Sequence, residues 1–492
     1  MFFGINFANI KTIVSKNKLL LVIIAVVGFL RFFNLENITT FLGDQGRDAI
    51  IIKRIITLEH WPAIGPTSSV GQVFLGPFFY YLIAPFLFLF RFNPVGMAVA
   101  GGFFSVVGII GAYIALRKEI NKAVAFLFIL LVGFSFTQIN FARFSWNPNL
   151  LPIFSFFTLF FFGKALKEHG RLHAVLAGAF LSFSIQLHYL AILIIPTLFL
   201  FWIIQIIASK EKTKDFINTL FSAGSFIFFS SPLIIFDLKH DFINSKSFIR
   251  VFTEQKVLSN ASPWFRFVDT IYSFSQSIVN LSINNLISIL ILIGIFIYFC
   301  KRRFFKDQSI LQIYFLNFFV YLLLFSFINS FHYPHYYAAV YYSFFTITAI
   351  ILAEMQKKRI FLFLLVIPIM AFYLITNATN YSFLYHEGSR QIWRASTTAK
   401  AILSLKPQIP YQIVALPSTE TTGHIRYFLE ILGPRPLPED SYKQPKELFI
   451  LCYEKCNATT DAQWQIAAFK NKKLDKITKF ENITIYKVVH EK

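Results

Sequence analysis

The sequence predicts an all-α polytopic membrane protein with a small C-terminal α/β domain, and three observations support that fold class. Apolar residues make up 56% of the 492-residue chain and charged residues only 14%, against roughly 25% in soluble domains. Long apolar runs recur through residues 18–376. Short basic loops alternate between these runs with loops rich in acids, His and aromatic residues.

The apolar runs predict about eleven transmembrane helices, because a span needs roughly 20 apolar residues. They lie near residues 18–33, 95–116, 123–140, 149–166, 172–189, 190–207, 217–236, 284–300, 310–330, 336–354 and 360–376. Together they define a transmembrane domain of residues 1–376 with two long polar loops, at 34–94 and 237–283.

Basic clusters fix the predicted orientation, because Lys and Arg beside spans stay in the cytoplasm. They occur at residues 11–18, 117–122, 164–171, 210–214, 301–306 and 357–359. The N-terminus is therefore predicted to be cytoplasmic and the two long loops to face outward, as expected of a multi-pass protein of the plasma membrane. Much of the +21 net charge is explained by these turns meeting anionic lipid headgroups, so it does not indicate nucleic-acid binding.

Residues 74–90 form the one ambiguous apolar segment. Hydropathy alone would make it a span, but a crossing there would move every later basic loop outside. Pro77 and Pro85 also interrupt it. The segment is therefore predicted to be a juxtamembrane or re-entrant helix of the first outer loop, downstream of a short interfacial helix at residues 48–60.

The composition changes after residue 377, where polar residues and Pro rise. Strand-like runs at 412–416, 448–452 and 483–489 alternate with helix-like runs at 422–432 and 461–469. This pattern predicts an extracytoplasmic α/β domain of residues 377–492. Cys452 and Cys456 could pair there if the domain is outside the cell, although two free thiols are the favoured interpretation.

Asp44 is the strongest candidate for chemistry, because it follows the first span and is surrounded by Gln45, Arg47 and Asp48. A carboxylate at a membrane surface can deprotonate or orient an acceptor hydroxyl. Taken alone, an Asp in this position is more often a solvated loop acid or a helix N-cap.

Polar and aromatic residues also gather at the predicted outer ends of later spans. Besides Gln45, Arg47 and Asp48, which lie next to Asp44, the candidate substrate-binding residues are Arg143, Trp146, Asn147, His188, Tyr189, His332, His335, Tyr336 and Tyr337. The guanidinium fork of Arg143 suits a phosphate, but Arg, Trp and Tyr also anchor spans at the headgroup level. No set of residues has convincing metal-ligand spacing, so the sequence predicts no cofactor and requires no divalent metal.

These residues together resemble the GT-C glycosyltransferases, and more narrowly the protein O-mannosyltransferase and lipid A aminoarabinose-transferase group, over about residues 10–376. That group has an acid pair, usually Asp-Glu, after its first span, where this chain has Asp44-Gln45. It often has Lys-Pro at the start of the juxtamembrane helix, where this chain has Gly76-Pro77.

The resemblance implies transfer of a sugar from a polyprenyl-phosphate donor to an acceptor hydroxyl, on protein, lipid or glycan, with inversion. Asp44 would be the base. With the family Lys absent, Arg47, Arg143 or His188 would supply the phosphate contact, and Arg143 is the preferred candidate. The implied partners are the donor, an acceptor that the sequence does not name, and membrane lipids.

Two other functions remain open from the sequence. A transporter or lipid flippase would show internal repeats and polar residues at mid-membrane depth, whereas these spans are nearly free of ionisable residues. A non-catalytic scaffold could also retain the fold after losing the second acid at Gln45.

Overall fold

The computed structural model describes residues 17–68, 73–253, 262–280, 294, 295, 297, 311–328 and 332–491. Helices dominate up to residue 404, and a four-stranded sheet follows. The predicted fold class is confirmed in this coarse form: a helical domain with a small C-terminal α/β unit.

Most helices of the N-terminal part follow the apolar runs, but two of them, Ile243–Thr253 and Pro263–Val279, lie in the long loop predicted at 237–283. They are α1 Lys18–Phe32, α2 Leu35–Ile38, α3 Gly43–Ile56, α4 Phe78–Leu89, α5 Val95–Glu119, α6 Lys122–Gly133, α7 Phe136–Ala142, α8 Leu151–Lys167, α9 Arg171–Leu187, α10 Ile194–Ala208, α11 Lys212–Lys239, α12 Ile243–Thr253, α13 Pro263–Val279, α14 Leu311–Ser326, α15 Tyr341–Met355, α16 Arg359–Phe361 and α17 Ile367–Ala378. The predicted span at 284–300 lies almost wholly outside the described residues.

The predicted number of eleven spans is not confirmed. Among the residues that the structure describes, five helices are long and apolar enough to cross a membrane, or six if the pair α6 and α7, bent by 67°, is one span. Other apolar helices are shorter, such as α9 with 17 residues and α15 with 15. At 1.5 Å per residue these cover roughly 23–26 Å, less than the ~30 Å hydrocarbon core.

Helix α4 occupies the ambiguous apolar segment. It has 12 residues and contains Pro85, so it covers about 18 Å. It packs between α3 and α5. That length agrees with the predicted juxtamembrane helix, and its placement beside the bilayer stays a prediction.

The C-terminal sheet has the strand order β1-β2-β4-β3. Its strands are β1 Tyr411–Leu416, β2 Glu447–Cys452, β3 Lys472–Phe480 and β4 Ile483–His490. β1 and β2 are parallel, while β4 runs antiparallel to both β2 and β3. The helices α18 Gln391–Ser404, α19 Gly423–Leu432 and α20 Trp464–Ala468 accompany the strands.

Two details of this unit differ from expectation. Cys452 and Cys456 form a disulfide, so the favoured interpretation of two free thiols was wrong. The strand β3 was missed, because five of its nine residues are charged or otherwise atypical of a buried strand and most of them are exposed. The domain boundary at residue 377 stays a prediction.

The C-terminal unit docks onto α3 through glycines that allow backbone contact. A Cβ at Gly46 would lie 2.2 Å from the backbone nitrogen of His424, and one at Gly423 would lie 2.5 Å from the carbonyl oxygen of Gly43. Because any side chain at these points would collide with backbone, α3 and α19 can cross this closely only with glycine there.

Ion pairs reinforce the same contact. Glu430 on α19 has a side chain only 4% exposed, and it accepts from Arg54 at 2.8 Å and from Arg435 at 2.9 Å. The Tyr427 hydroxyl donates to the carbonyl of Phe92 at 2.6 Å. The helix that carries Asp44 is therefore held between the apolar helices and the C-terminal sheet unit.

Candidate functional site

A polar cavity of about 280 Å³ collects most of the predicted site residues, and we call it the Asp44 cavity. Its walls come from α3, the segment after α3, and the turns that precede α8, α10 and α15. The lining residues are Asp44, Arg47, Pro66, Thr67, Ser68, Leu75, Trp146, Asn147, Pro148, His188, Tyr189, His335 and Tyr336.

Asp44 lies in the first turn of α3, where the helix dipole favours a negative charge. Its side chain is 56% exposed and pairs with Arg47, whose Nη1 donates to Oδ1 at 3.0 Å. An exposed carboxylate in a cavity can accept a proton from a bound hydroxyl. The geometry therefore provides the acid that the sequence singled out.

Asp48 lies behind Arg47 and is fully buried. Nε and Nη2 of Arg47 donate to its Oδ1 at 3.1 and 2.9 Å, and the Tyr80 hydroxyl donates to the same oxygen at 3.2 Å. Burial raises the pKa of Asp48 to about 6, despite the opposing effect of Arg47. Burial alone would lower the pKa of Arg47, but the charge of Asp48 and other neighbours raise it above its usual range, so the guanidinium stays charged.

The rings of His188 and His335 meet edge-to-face in the cavity wall, with their centroids 5.7 Å apart. The indole of Trp146 meets the His335 ring edge-on at 4.6 Å. Burial lowers the pKa of His188 to about 3 and that of His335 to about 4, so both rings are neutral at pH 7. Nδ1 of His188 accepts from the backbone N–H of Leu190, which leaves the proton on Nε2.

Asn147 orients the turn before α8 rather than reaching freely into the cavity. Its side-chain nitrogen donates to the carbonyl of Leu187 at 2.6 Å, which ties this turn to the one that carries His188. Tyr189 stacks on His188 at 4.8 Å. The two loops thus form one rigid wall.

Two predicted residues have other partners. The guanidinium of Arg143 donates to the carbonyls of Leu30 and Phe33 at 2.8 and 2.7 Å and lies 4.0 Å from the ring centre of Phe383. Gln45 is buried, and its Oε1 accepts from the backbone N–H of Leu42. Arg143 therefore closes the end of α1 and Gln45 caps α3, and neither lines the Asp44 cavity.

His332 and Tyr337 form a separate relay beside the cavity. Nδ1 of His332 lies 2.7 Å from the Tyr337 hydroxyl, and Nε2 lies 3.1 Å from Oδ2 of Asp269. Tyr337 is fully buried. This relay joins α13 to the turn before α15, and a direct substrate contact for His332 and Tyr337 stays a prediction.

At Gly76, where the resemblance would place a Lys, the neighbouring side chain of Gln186 leaves no room for a side chain. A Cβ at Gly76 would lie 2.2 Å from Oε1 of Gln186, and this amide oxygen also accepts from the backbone N–H of Phe78. The amide nitrogen of Gln186 donates to Ser182 and to the carbonyl of Phe229. Gln186 therefore occupies the space that a side chain at position 76 would need.

Sequence reasoning missed the segment that completes the cavity, which includes Pro66, Thr67, Ser68 and Leu75. Thr67 forms a bridge with Phe74, and Asn244 of α12 hydrogen-bonds both backbone groups of Phe74. The sequence feature that could have indicated this segment is the Pro, Ser and Thr content of residues 62–69, in a loop that follows Asp44. Among the described residues, no group of three or more His, Cys, Asp or Glu could hold a metal ion.

Comparison with known proteins shows what the chain is similar to. Residues 75–235 match the profile of the dolichyl-phosphate-mannose-protein mannosyltransferase family. No curated protein sequence matches. The fold is similar to that of ArnT from Cupriavidus metallidurans bound to undecaprenyl phosphate, at 12% identity and a TM-score of 0.63, covering 96% of this chain and 98% of that one.

The apo form of ArnT from the same organism gives 13% identity and a TM-score of 0.64, with coverage of 96% and 98%. The archaeal oligosaccharyltransferase AglB from Archaeoglobus fulgidus, in complex with an inhibitory peptide and a dolichol-phosphate, gives 13% and 0.53, covering 85% of this chain and 64% of that one. The chain is a multi-pass membrane protein with an ArnT-like fold. The predicted resemblance to the protein O-mannosyltransferase and ArnT group is confirmed.

Proposed function

We propose that this protein transfers a sugar from a polyprenyl-phosphate donor to an acceptor hydroxyl, with Asp44 as the general base. The observation that carries the proposal is the Asp44 cavity, in which an exposed carboxylate and a cation lie beside neutral His, Tyr and Trp side chains. Support comes from the family profile and from the shared fold, since the ArnT and AglB structures contain undecaprenyl phosphate and a dolichol-phosphate.

Arg47 is the cation best placed to bind the donor phosphate. It lines the cavity, its side chain is 40% exposed, and Asp48 holds Nε and Nη2 from behind. Nη1 points to Asp44 and can turn to a phosphate oxygen. Because Arg47 lines the cavity and Arg143 does not, Arg47 replaces Arg143 as the preferred phosphate ligand.

The sugar would lie between Trp146, His188 and His335. The indole offers an apolar surface, while the two neutral imidazoles offer both a donor and an acceptor to hydroxyl groups. Nε2–H of His188 is the hydrogen-bond donor, given that Nδ1 already accepts from Leu190. Because both imidazoles are uncharged, they are better suited to bind sugar hydroxyl groups than to bind a second anionic group.

The reaction is a single displacement at the anomeric carbon. The acceptor oxygen forms a bond to that carbon, its proton passes to Asp44, and the bond to the phosphate oxygen breaks with its electron pair. The products are the glycosylated acceptor and polyprenyl phosphate, whose developing charge Arg47 would stabilise. Attack from the face opposite the leaving group inverts the configuration.

The Asp44 cavity would lie on the extracytoplasmic face, with the N-terminus in the cytoplasm. The basic loops support this orientation, since Arg117 and Lys118 end α5 and Lys164 and Lys167 end α8, at the helix ends away from the cavity. The cavity polarity lies at helix ends rather than in the middle of the spans, which favours surface chemistry over transport.

The direct test uses Asp44→Asn in purified protein with labelled undecaprenyl-phosphate hexoses as donors. We expect the release of undecaprenyl phosphate in the presence of membrane acceptors to fall by roughly 10²–10⁴-fold, as for a lost general base. Glu36→Gln is the matched control, because Glu36 is an exposed acid on α2. Equal rates for the wild type and Asp44→Asn would refute the role of Asp44.

A further inference from the structure

A second cavity lies where the C-terminal unit meets the chain before α3, and we call it the interface cavity. It has a volume of about 310 Å³, and its walls include Phe41 and Leu42 on one side and α18 and Tyr453 on the other. Leu42 lines the interface cavity and Asp44 lines the Asp44 cavity. The two cavities therefore lie near each other at the start of α3, because Leu42 is the residue that directly precedes the helix.

The wall of the interface cavity contains two buried polar groups that lack partners. Within the described chain, neither Nδ1 of His424 nor the hydroxyl of Tyr453 has a hydrogen-bond partner. His424 is only 8% exposed, and burial lowers its pKa to about 4, so the ring is neutral at pH 7. Because unpaired buried polar groups destabilise a protein, each of these two groups would gain from a hydrogen bond to a ligand once its side chain turns toward the cavity.

The charges around the cavity are balanced. Arg394 and Glu481 both line it, and Nε of Arg394 lies 3.1 Å from Oε2 of Glu481. A charged ligand would have to break this pair, whereas a neutral ligand can accept from one partner and donate to the other. The electrostatics therefore favour an uncharged, hydrogen-bonding ligand.

Apolar and polar side chains are mixed on the walls in the way that carbohydrates require. Phe41, Ile425 and Ile483 offer apolar surface to the C–H faces of a sugar ring, and Ser389 and Asn482 offer groups that bind hydroxyls. A few convergent polar groups on an apolar wall are typical of small-molecule sites, and so is a volume near 300 Å³.

The interface cavity is also fixed in place relative to Asp44. Oε1 of Gln391 on α18 accepts from the backbone N–H of Phe41 at 2.7 Å. The backbone of His424 contacts Gly46 directly. The chain at Phe41 and helix α19 would therefore both hold a bound ligand at a fixed position relative to Asp44.

We propose that the interface cavity binds the acceptor, and that the acceptor is a neutral glycan. The inference rests on the proposed function, because it assigns the substrate that receives the sugar. A saccharide unit bound in the cavity would extend past Leu42, which directly precedes α3 and is 46% exposed, and present a hydroxyl to Asp44.

The test measures direct binding to the full-length protein in detergent by saturation-transfer NMR and titration, with no donor present. The probes are mannotriose, a neutral trisaccharide, and a Ser/Thr-rich nonapeptide. We expect mannotriose to bind the wild type, and Tyr453→Phe to weaken this binding by roughly three- to tenfold, the effect of one neutral hydrogen bond. Ser389→Trp, which blocks the cavity from an exposed position, should abolish binding.

Matched controls use positions away from the cavity. Tyr442→Phe removes a hydroxyl from a residue that is 90% exposed, and Ser404→Trp adds an indole at the other end of α18. Both should bind mannotriose as the wild type does. Absence of mannotriose binding, binding insensitive to Ser389→Trp, or binding of the peptide alone would each overturn the proposal.

The same variants separate this inference from the proposed function. Slow hydrolysis of the labelled donor, with water as acceptor, requires Asp44 and Arg47 but not the interface cavity. Ser389→Trp should therefore retain donor hydrolysis while losing glycan binding. If hydrolysis depends on Asp44 but no variant alters glycan binding, the proposed function stands and the acceptor site does not.

Discussion

Asp48 should set the acid limb of the pH–rate profile, although it does not line the Asp44 cavity. It is fully buried and holds Nε and Nη2 of Arg47, which leaves Nη1 for Asp44. When Asp48 takes up a proton, Arg47 loses that anchor and can pair with Asp44 through both of its terminal nitrogens. A more strongly paired Asp44 is a weaker base, so transfer should slow.

The magnitude follows from the pKa and from the bonds. Burial raises the pKa of Asp48 from its usual 3.8 to about 6, so the rate should fall about tenfold per pH unit below 6. The hydrogen bonds from Arg47 to Asp48 are charge-assisted, and each such bond is worth about 1.5–3 kcal/mol. Asp48→Asn should therefore lower the rate at pH 7.5 by roughly ten- to a hundredfold and should remove the limb near pH 6.

The folding stability should depend on pH in the opposite direction to the rate. A carboxyl whose pKa is higher in the folded state binds its proton more tightly when folded, so stability decreases as pH rises from about 4 to about 6 and then levels off. The shift from 3.8 to about 6 corresponds to about 3 kcal/mol of cost at pH 7.5. Asp48→Asn removes this cost, and its thermal midpoint should not fall.

The assay is donor turnover between pH 5 and 8, with thermal unfolding measured on the same samples. Asp44→Asn is the comparison variant, because it should lower the rate at every pH, whether or not Asp48 is protonated. An acid limb near pH 6 that persists in Asp48→Asn would refute the reasoning, because the limb would then belong to another group.

Three further changes test the packing around the site. Gly46→Ala should lower thermal stability by about 1–3 kcal/mol, since its Cβ would meet backbone of α19, whereas Gly28→Ala has open space and should not. Glu430→Gln should loosen the C-terminal unit and speed its proteolysis by removing a charge with two Arg partners, while Glu439→Gln should not. Arg143→Ala should lower thermal stability and leave the donor requirement unchanged, because its bonds close α1; a raised donor requirement at normal stability would restore its predicted phosphate role.

The sequence predicted well the helices that follow apolar runs, but not α12 and α13, which lie in the polar loop predicted at 237–283. The number of spans is not confirmed among the described residues, since composition shows where an apolar run lies but not where the helix breaks. The run at 123–140 is the clearest case, because it bends by 67° between α6 and α7. In the C-terminal unit, β3 was missed because an exposed, Lys-rich edge strand has no apolar alternation to detect.

The site was predictable to the extent that its residues sit at predicted outer ends of spans. Asp44, Trp146, His188 and His335 meet in one cavity because those ends meet. The hydrogen-bond partners of residues far apart in sequence could not be predicted. Nothing in the sequence indicates that Arg143 bonds to carbonyls 110 or more positions earlier.

The position of Asp44 between two cavities follows from helix geometry at the start of α3. Leu42 precedes α3 in extended backbone, and Asp44 lies in the first turn of the helix. Asp44 and Gly46, two residues apart on the helix, are separated by about 200° around its axis and point apart. Leu42 faces the interface cavity, Asp44 faces its own cavity, and Gly46 lets the backbone of His424 approach. A single turn therefore separates the two cavities while it presents the carboxylate, which is the arrangement required if donor and acceptor approach one base from different sides.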